Sequence, residues 1–130
     1  MGSRTEHRCG ACGADFVVDS GGGFMFDQLH CDTCGKVWSI GHREMGDLHL
    51  GFIKGLRRPY AIARAAGDAR IQREWPGPVV SAEAYHAGVE AMAPSCECGG
   101  AFRYGAQPRC PTCGSTSEAW TDGRTIMHYD

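Results

Sequence analysis

Eight cysteines fall in four close pairs, Cys9/Cys12, Cys31/Cys34, Cys96/Cys98 and Cys110/Cys113. Each pair can place two sulfurs on one ion, and two pairs complete a tetrahedral shell. The count leaves no cysteine over, so the chain supplies two four-thiolate sites. The rest of the composition needs such clips. The chain has 130 residues, 19 of them glycine, and its 42% hydrophobic content includes the cysteines themselves. That is a thin supply for a core, and metal ligation makes up for it.

A disulfide framework is the competing use of an even cysteine count. Loops closed between cysteines two or three apart restrain little of the unfolded chain. The start MGSRTEHRCGAC has no apolar run of the secretory kind. No stretch is long and apolar enough to cross a membrane. These features set the expectation of reduced thiols, a cytoplasmic protein and no membrane partner.

Residues 9–34 space their cysteines as C-x2-C, residues 13–30, C-x2-C, which lies within the zinc-site pattern. Glycine follows each pair, at Gly13 and Gly35, and suits a turn whose backbone N–H groups face the sulfurs. The insert reads as a β-hairpin: Asp15–Val18, a turn at Gly21–Gly23, then Phe24–Phe26. Lys36–Ile40 reads as a third strand. Phe16, Phe24, Phe26 and Trp38 are expected to form one small core. His7 and His30 flank the cysteine pairs, but four cysteines already fill the shell.

Residues 96–113 carry C-x-C, residues 99–109, C-x2-C, followed by Gly114. The pair Cys96-Glu97-Cys98 is one residue short, and Gly99-Gly100 gives the backbone room to close it. A hairpin of Ala101–Tyr104 with Gln107–Arg109 is expected between the two pairs, with further strands at Trp120 and Thr125–Tyr129. The pairs can join in sequence or cross over as in a cross-brace. Hairpin-length inserts and the cost of closing a loop over residues 35–95 favour joining in sequence.

The knuckles Cys9-Gly10-Ala11-Cys12-Gly13, Cys31-Asp32-Thr33-Cys34-Gly35 and Cys110-Pro111-Thr112-Cys113-Gly114 resemble those of zinc ribbons and the rubredoxin-like group. The resemblance covers about residues 7–40 and 95–129. It implies one ligand set of Cys9, Cys12, Cys31 and Cys34, and a second of Cys96, Cys98, Cys110 and Cys113. It implies two zinc ions, with iron as the alternative in one or both sites. The fold expected is a small α+β metal-stabilised protein. An N-terminal ribbon (1–43) and a C-terminal ribbon (95–130) flank a helical middle (44–94).

In that middle, Pro59 opens a helix through Ala66 that Gly67 stops, and Asp68 caps a second stretch ending at Trp75. Ser81 caps a helix over Ala82–Met92 with Tyr85, Val89 and Met92 on its inner face. Residues 44–58 fit no single period.

Lys54, Arg57, Arg58, Arg64, Arg70 and Arg73 face only Asp68 in their span, although the whole chain carries a net charge of −2. A solvated helix surface explains such a run, and a phosphate or acidic-protein contact is the functional reading. Filled four-cysteine shells leave no position for substrate. No nucleophile elbow, P-loop or dinucleotide fingerprint appears. His42 and His49, seven apart, form no recognised metal motif. The sequence therefore points to a non-enzymatic zinc protein acting as an interaction module, with a protein partner and no small-molecule substrate. Nucleic-acid binding through residues 54–73 and electron transfer at a rubredoxin-like iron site are the alternatives.

Overall fold

The architecture comes from a computed structural model that describes residues 2–57 and 62–129. Two three-stranded antiparallel sheets are nested in sequence: strands from the two ends of the chain form the first, and strands from its interior, with the helices between them, form the second. The first sheet has β1 (Gly2–Cys9) at its centre, flanked by β2 (Asp15–Ser20) and β6 (Trp120–Tyr129). The second has β3 (Phe26–Cys31) at its centre, between β4 (Val37–Gly41) and the two-residue β5 (Phe102–Arg103).

The strands turn at the cysteines rather than between them. β1 pairs with β2 across the Cys9–Cys12 knuckle (His7 opposite Phe16), and β3 pairs with β4 across the Cys31–Cys34 knuckle (Leu29 opposite Trp38). The expected hairpin of residues 15–18 with 24–26 does not form, and the Gly21–Gly23 segment instead links the two sheets. β5 likewise pairs with β3, not with residues 107–109. The four expected core aromatics are consequently dispersed. Phe16 meets His7 and Trp120, Phe26 stacks on Tyr129, and Trp38 packs near Phe102.

Between β4 and β5 run α1 (His42–Met45), α2 (Asp47–Gly55), α3 (Ala65–Glu74) and α4 (Ala82–Met92). α4 begins and ends where the sequence places it, with the Ser81 hydroxyl accepting the Ala84 N–H at 3.1 Å. Tyr85 and Val89 are buried as expected, while Met92 is exposed. Two other expectations fail. α3 runs through Gly67, so that glycine is no stop, and Asp68 lies buried inside the helix instead of capping it. Arg64, four residues earlier in a one-turn 3-10 helix, stands 4.0 Å from Asp68 and makes that burial tolerable. The expected helix start at Pro59 lies outside the described residues.

One cluster forms the main core: Leu29, Ile40, Met45, Tyr85, Val89 and Phe102, together with the sulfur-bearing Cys31 and Cys96. It belongs to the second sheet and its helices. The first sheet is joined to it by a few specific contacts. Tyr129 OH donates to Gln28 Oε1 at 2.8 Å, and His30 Nε2 meets the Asp19 carbonyl at 3.0 Å.

Candidate metal centres and a buried polar cluster

Three of the knuckles share one backbone design. In each, the N–H four residues after the leading cysteine returns to that cysteine's carbonyl: Gly13 to Cys9 at 2.8 Å, Gly35 to Cys31 at 3.0 Å and Gly114 to Cys110 at 2.9 Å. The closing glycines have φ of 76–77°, a conformation that excludes ordinary side chains cheaply only at glycine. Cys96-Glu97-Cys98 is the same turn shortened by one residue, closed by the Gly99 N–H on the Cys96 carbonyl at 2.8 Å with φ 89°. Gly100 then lies so close to Cys31 Sγ that a Cβ could not fit.

The sulfurs gather into two quartets: Cys9, Cys12, Cys110 and Cys113, and Cys31, Cys34, Cys96 and Cys98. Within each, all four lie inside 4.8 Å of one another. Cys9 and Cys113 are 3.5 Å apart, Cys12 and Cys110 3.7 Å, Cys31 and Cys98 3.5 Å, and Cys34 and Cys96 3.6 Å. A tetrahedral ion with metal–sulfur bonds of about 2.3 Å requires edges of about 3.8 Å, so both quartets fit one.

The ligand sets implied by the ribbon resemblance are therefore corrected. All eight cysteines take part, but the first pair joins the fourth and the second joins the third. This nested arrangement is neither the sequential nor the crossed one. Loop closure argued against it, yet that cost grows only as the logarithm of length. Nesting adds about 1.5 kcal/mol per site over sequential pairing. A structural zinc site contributes roughly 10–16 kcal/mol, so strand pairing is free to decide.

Backbone amides stabilise the sulfurs. The Thr33 and Cys34 N–H groups point at Cys31 Sγ at 3.4 and 3.5 Å, and Gly100 N–H at Cys98 Sγ at 3.4 Å. In the other quartet the Ser115 hydroxyl lies 3.0 Å from Cys9 Sγ and 3.2 Å from Cys113 Sγ. Ser115, followed by the Cys12 and Ala11 amides, draws the Cys9 thiol down to about 6 despite its burial. At Cys12 an Ala14 amide pulls down, but burial and the neighbouring thiols outweigh it and push the group up to about 12. Without a cation only part of each quartet ionises, so metal binding must displace protons.

Among the described residues of the basic span, three have partners within the chain. The Lys54 ammonium turns onto the Trp75 carbonyl, and Arg64 donates to the Phe24 carbonyl at 2.7 Å. Arg70 pairs with Glu74 one turn on. Arg57 and Arg73 are exposed, and Arg58 lies outside the described residues.

A second constellation was not legible in the sequence. Asp27, on β3, is buried beneath the helices. Its Oδ1 contacts His42 Nε2 at 2.9 Å, and its Oδ2 accepts the hydroxyls of Tyr85 and Tyr104, each at 2.7 Å. Arg64 Nη1 lies 2.8 Å from His42 Nδ1. Guanidinium can only donate, so Nδ1 accepts and Nε2 carries the proton toward Asp27. Burial pushes the Asp27 carboxyl up, but His42 and the two tyrosines overcome it and hold it well below the usual carboxylate range. His42 also stacks on His49 with centroids 4.0 Å apart. The two histidines are seven residues apart in the sequence. They in fact sit on separate helices, α1 and α2, and meet through the bend at Gly46. No local motif marks this group, because its members come from six segments of the chain.

A family model described as "Domain of unknown function (DUF8255)" matches residues 5–119. No curated protein and no solved structure matches the chain. Among the described residues no helix is long and apolar enough to cross a membrane.

Proposed function

We propose, for a chain that belongs to this DUF8255 family, a non-enzymatic role as a zinc-cemented interaction module. The observation that carries the reading is the pair of complete four-sulfur shells, each drawing two ligands from either half of the chain. A shell filled by four protein thiolates has no place for substrate or water, which fits structural ions rather than catalytic ones. Zinc is favoured over iron(II) because it binds such ligands more tightly. The exposure of the residues Cys12, Cys98 and Cys113 also suits an ion whose potential need not be controlled. A reducing cytoplasm suits eight unoxidised thiols.

The recognised partner is another protein. β2 and β6 are the outer strands of the first sheet, and β6 exposes Ile126 and Met127. The turning of Lys54 and Arg64 onto backbone carbonyls weighs against a phosphate-tracking surface.

The test is metal analysis of reduced protein expressed with zinc and iron both supplied. Two equivalents of zinc, colourless protein and loss of both sheets on strong chelation are expected. Metal-free folded protein ends the proposal, and red protein holding iron replaces it with electron transfer.

A further inference from the structure

Access to the cysteines differs between the quartets. Cys31 and Cys96 belong to the main core, Cys34 packs against it, and Cys98 is the one exposed member of that quartet. In the other quartet each knuckle ends on an exposed residue, Cys12 or Cys113, and neither of the buried members, Cys9 and Cys110, belongs to that core.

The sulfurs of the outer quartet are also arranged in reactive pairs. Each exposed cysteine has a buried one from the opposite knuckle beside it. Cys113 Sγ lies 3.5 Å from Cys9 Sγ, and Cys12 Sγ lies 3.7 Å from Cys110 Sγ. The Ser115 hydroxyl reaches both sulfurs of the Cys9–Cys113 pair, at 3.0 and 3.2 Å, and holds them side by side. A disulfide bond is about 2.05 Å long, so these two sulfurs need close by only about 1.5 Å. The matching pair of the core quartet, Cys98 with Cys31, joins an exposed residue to one packed in the core, where Gly100 crowds the Cys31 sulfur.

We infer that the outer quartet is an oxidation site, at which a hydroperoxide converts Cys113 and Cys9 into a disulfide with loss of the metal ion. The metal part of this inference rests on the reading of the quartets as zinc sites. The Cys113 thiolate attacks one oxygen of the peroxide, the O–O bond breaks, and a sulfenic acid forms while the departing hydroxide takes a proton to become water. The Cys9 thiolate then attacks the Cys113 sulfur, the S–S bond forms, and the second hydroxide leaves and is protonated. Two thiolates, one peroxide and two protons give one disulfide and two waters. Disulfide sulfurs are no longer thiolate ligands, so the quartet keeps only Cys12 and Cys110 and releases its ion. The new bond ties β1 to the segment before β6, the same two segments that the quartet brings together. The two ends of the chain therefore stay linked in the oxidised form, while the core quartet keeps its ion.

The experiment uses the full reduced chain with its zinc counted beforehand. One equivalent of hydrogen peroxide is added, native mass spectrometry counts the ions retained, and peptide mapping after alkylation locates the disulfide. Loss of one ion of the two, a disulfide between Cys9 and Cys113, and recovery of the starting species with dithiothreitol and zinc are expected. A chain that holds no zinc at the outset refutes the zinc reading alone, and the mapped disulfide still decides the reactive pair. Loss of both ions together overturns the inference. So does a first disulfide within one knuckle or among Cys31, Cys34, Cys96 and Cys98, or oxidation that stops at sulfinic or sulfonic acid without any disulfide.

Discussion

The two sulfur quartets have the same ligands and similar knuckles, but they sit in different surroundings. Cys31 and Cys96 are part of the main apolar core, with Cys34 packed against it. Cys9 and Cys110 are equally buried, yet they lie outside that cluster, and Cys12 and Cys113 are exposed. A hydroxyl from Ser115 takes the place that packing fills at the other site. One quartet is thus embedded in a core that exists around it. The other joins β1 to the segment before β6 at one end of the first sheet, outside that core. Identical coordination chemistry can serve as a core component in one half of a molecule and as a clasp in the other.

The largest expected effect tests this contrast and the nested pairing together. Cys12→Ser should release one ion and fray the first sheet while the second sheet and helices stay ordered by hydrogen exchange. Cys31→Ser should unfold the chain, because a site worth about 10 kcal/mol or more is lost along with core packing. Native mass spectrometry of double variants reads the pairing directly. Cys12→Ser with Cys113→Ser should keep one ion, since both belong to one quartet. Cys12→Ser with Cys34→Ser should keep none. Sequential pairing demands the reverse.

How far the sequence revealed this architecture follows from what each signal encodes. Spacing within a cysteine pair is local, and it singled out all eight cysteines of the two quartets and even the shortened Cys96–Cys98 turn. Spacing between pairs was taken to encode partnership, but it reports only how long a loop is, and loop length is a weak energetic term. The decisive register was that of β1, Gly2–Cys9, whose alternation is blurred by charged residues on its outer face. Arg4 pairs with Asp19, Arg8 with Asp15 and Arg124 with Glu6, so one face of the first sheet is a charge ladder, not an apolar stripe. α4 was readable to the residue because its cap and its stop are local. The Asp27 cluster had no local signal at all.

The next effect in size belongs to the core side of the comparison. Asp27→Asn leaves His42, Tyr85 and Tyr104 aimed at a group without charge, and a stability loss of about 3–5 kcal/mol is expected, as for other broken buried pairs. Chemical denaturation should show it. Arg4→Ala, which removes a partly exposed pair on the first sheet, should cost under about 1 kcal/mol.

Acid should also strike the core side. Burial holds the His49 imidazole down at about 4, with repulsion from His42 and Arg64 adding to it and Asp27 opposing. Its unfolded value is near 6.5. Below that pH the unfolded chain takes up a proton that the folded chain refuses. Stability is therefore complete above about 6.5 and declines as pH falls toward 4, by on the order of 3 kcal/mol in total. Thiolate protonation releases metal in acid as well. The measure is thus the difference in slope between wild type and His49→Gln, and equal slopes reject the assignment.

The smallest pair of effects compares the knuckle glycines directly. Gly13 and Gly35 have φ of 77° and 76°, so alanine at either meets the same backbone penalty of about 1–2 kcal/mol, partly offset by a stiffer unfolded chain. Their surroundings differ. Nothing lies within 4 Å of a Cβ at Gly13, whereas at Gly35 it would overlap the backbone of Arg109 on the approach to the fourth cysteine pair. Gly13→Ala should therefore cost about 1 kcal/mol, and Gly35→Ala a further 1–3 kcal/mol because one knuckle must withdraw from the other half of the chain. Equal melting-temperature losses for the two variants would show that the close approach at Gly35 yields freely. The embedding of the second site in its surroundings would then be looser than its burial implies.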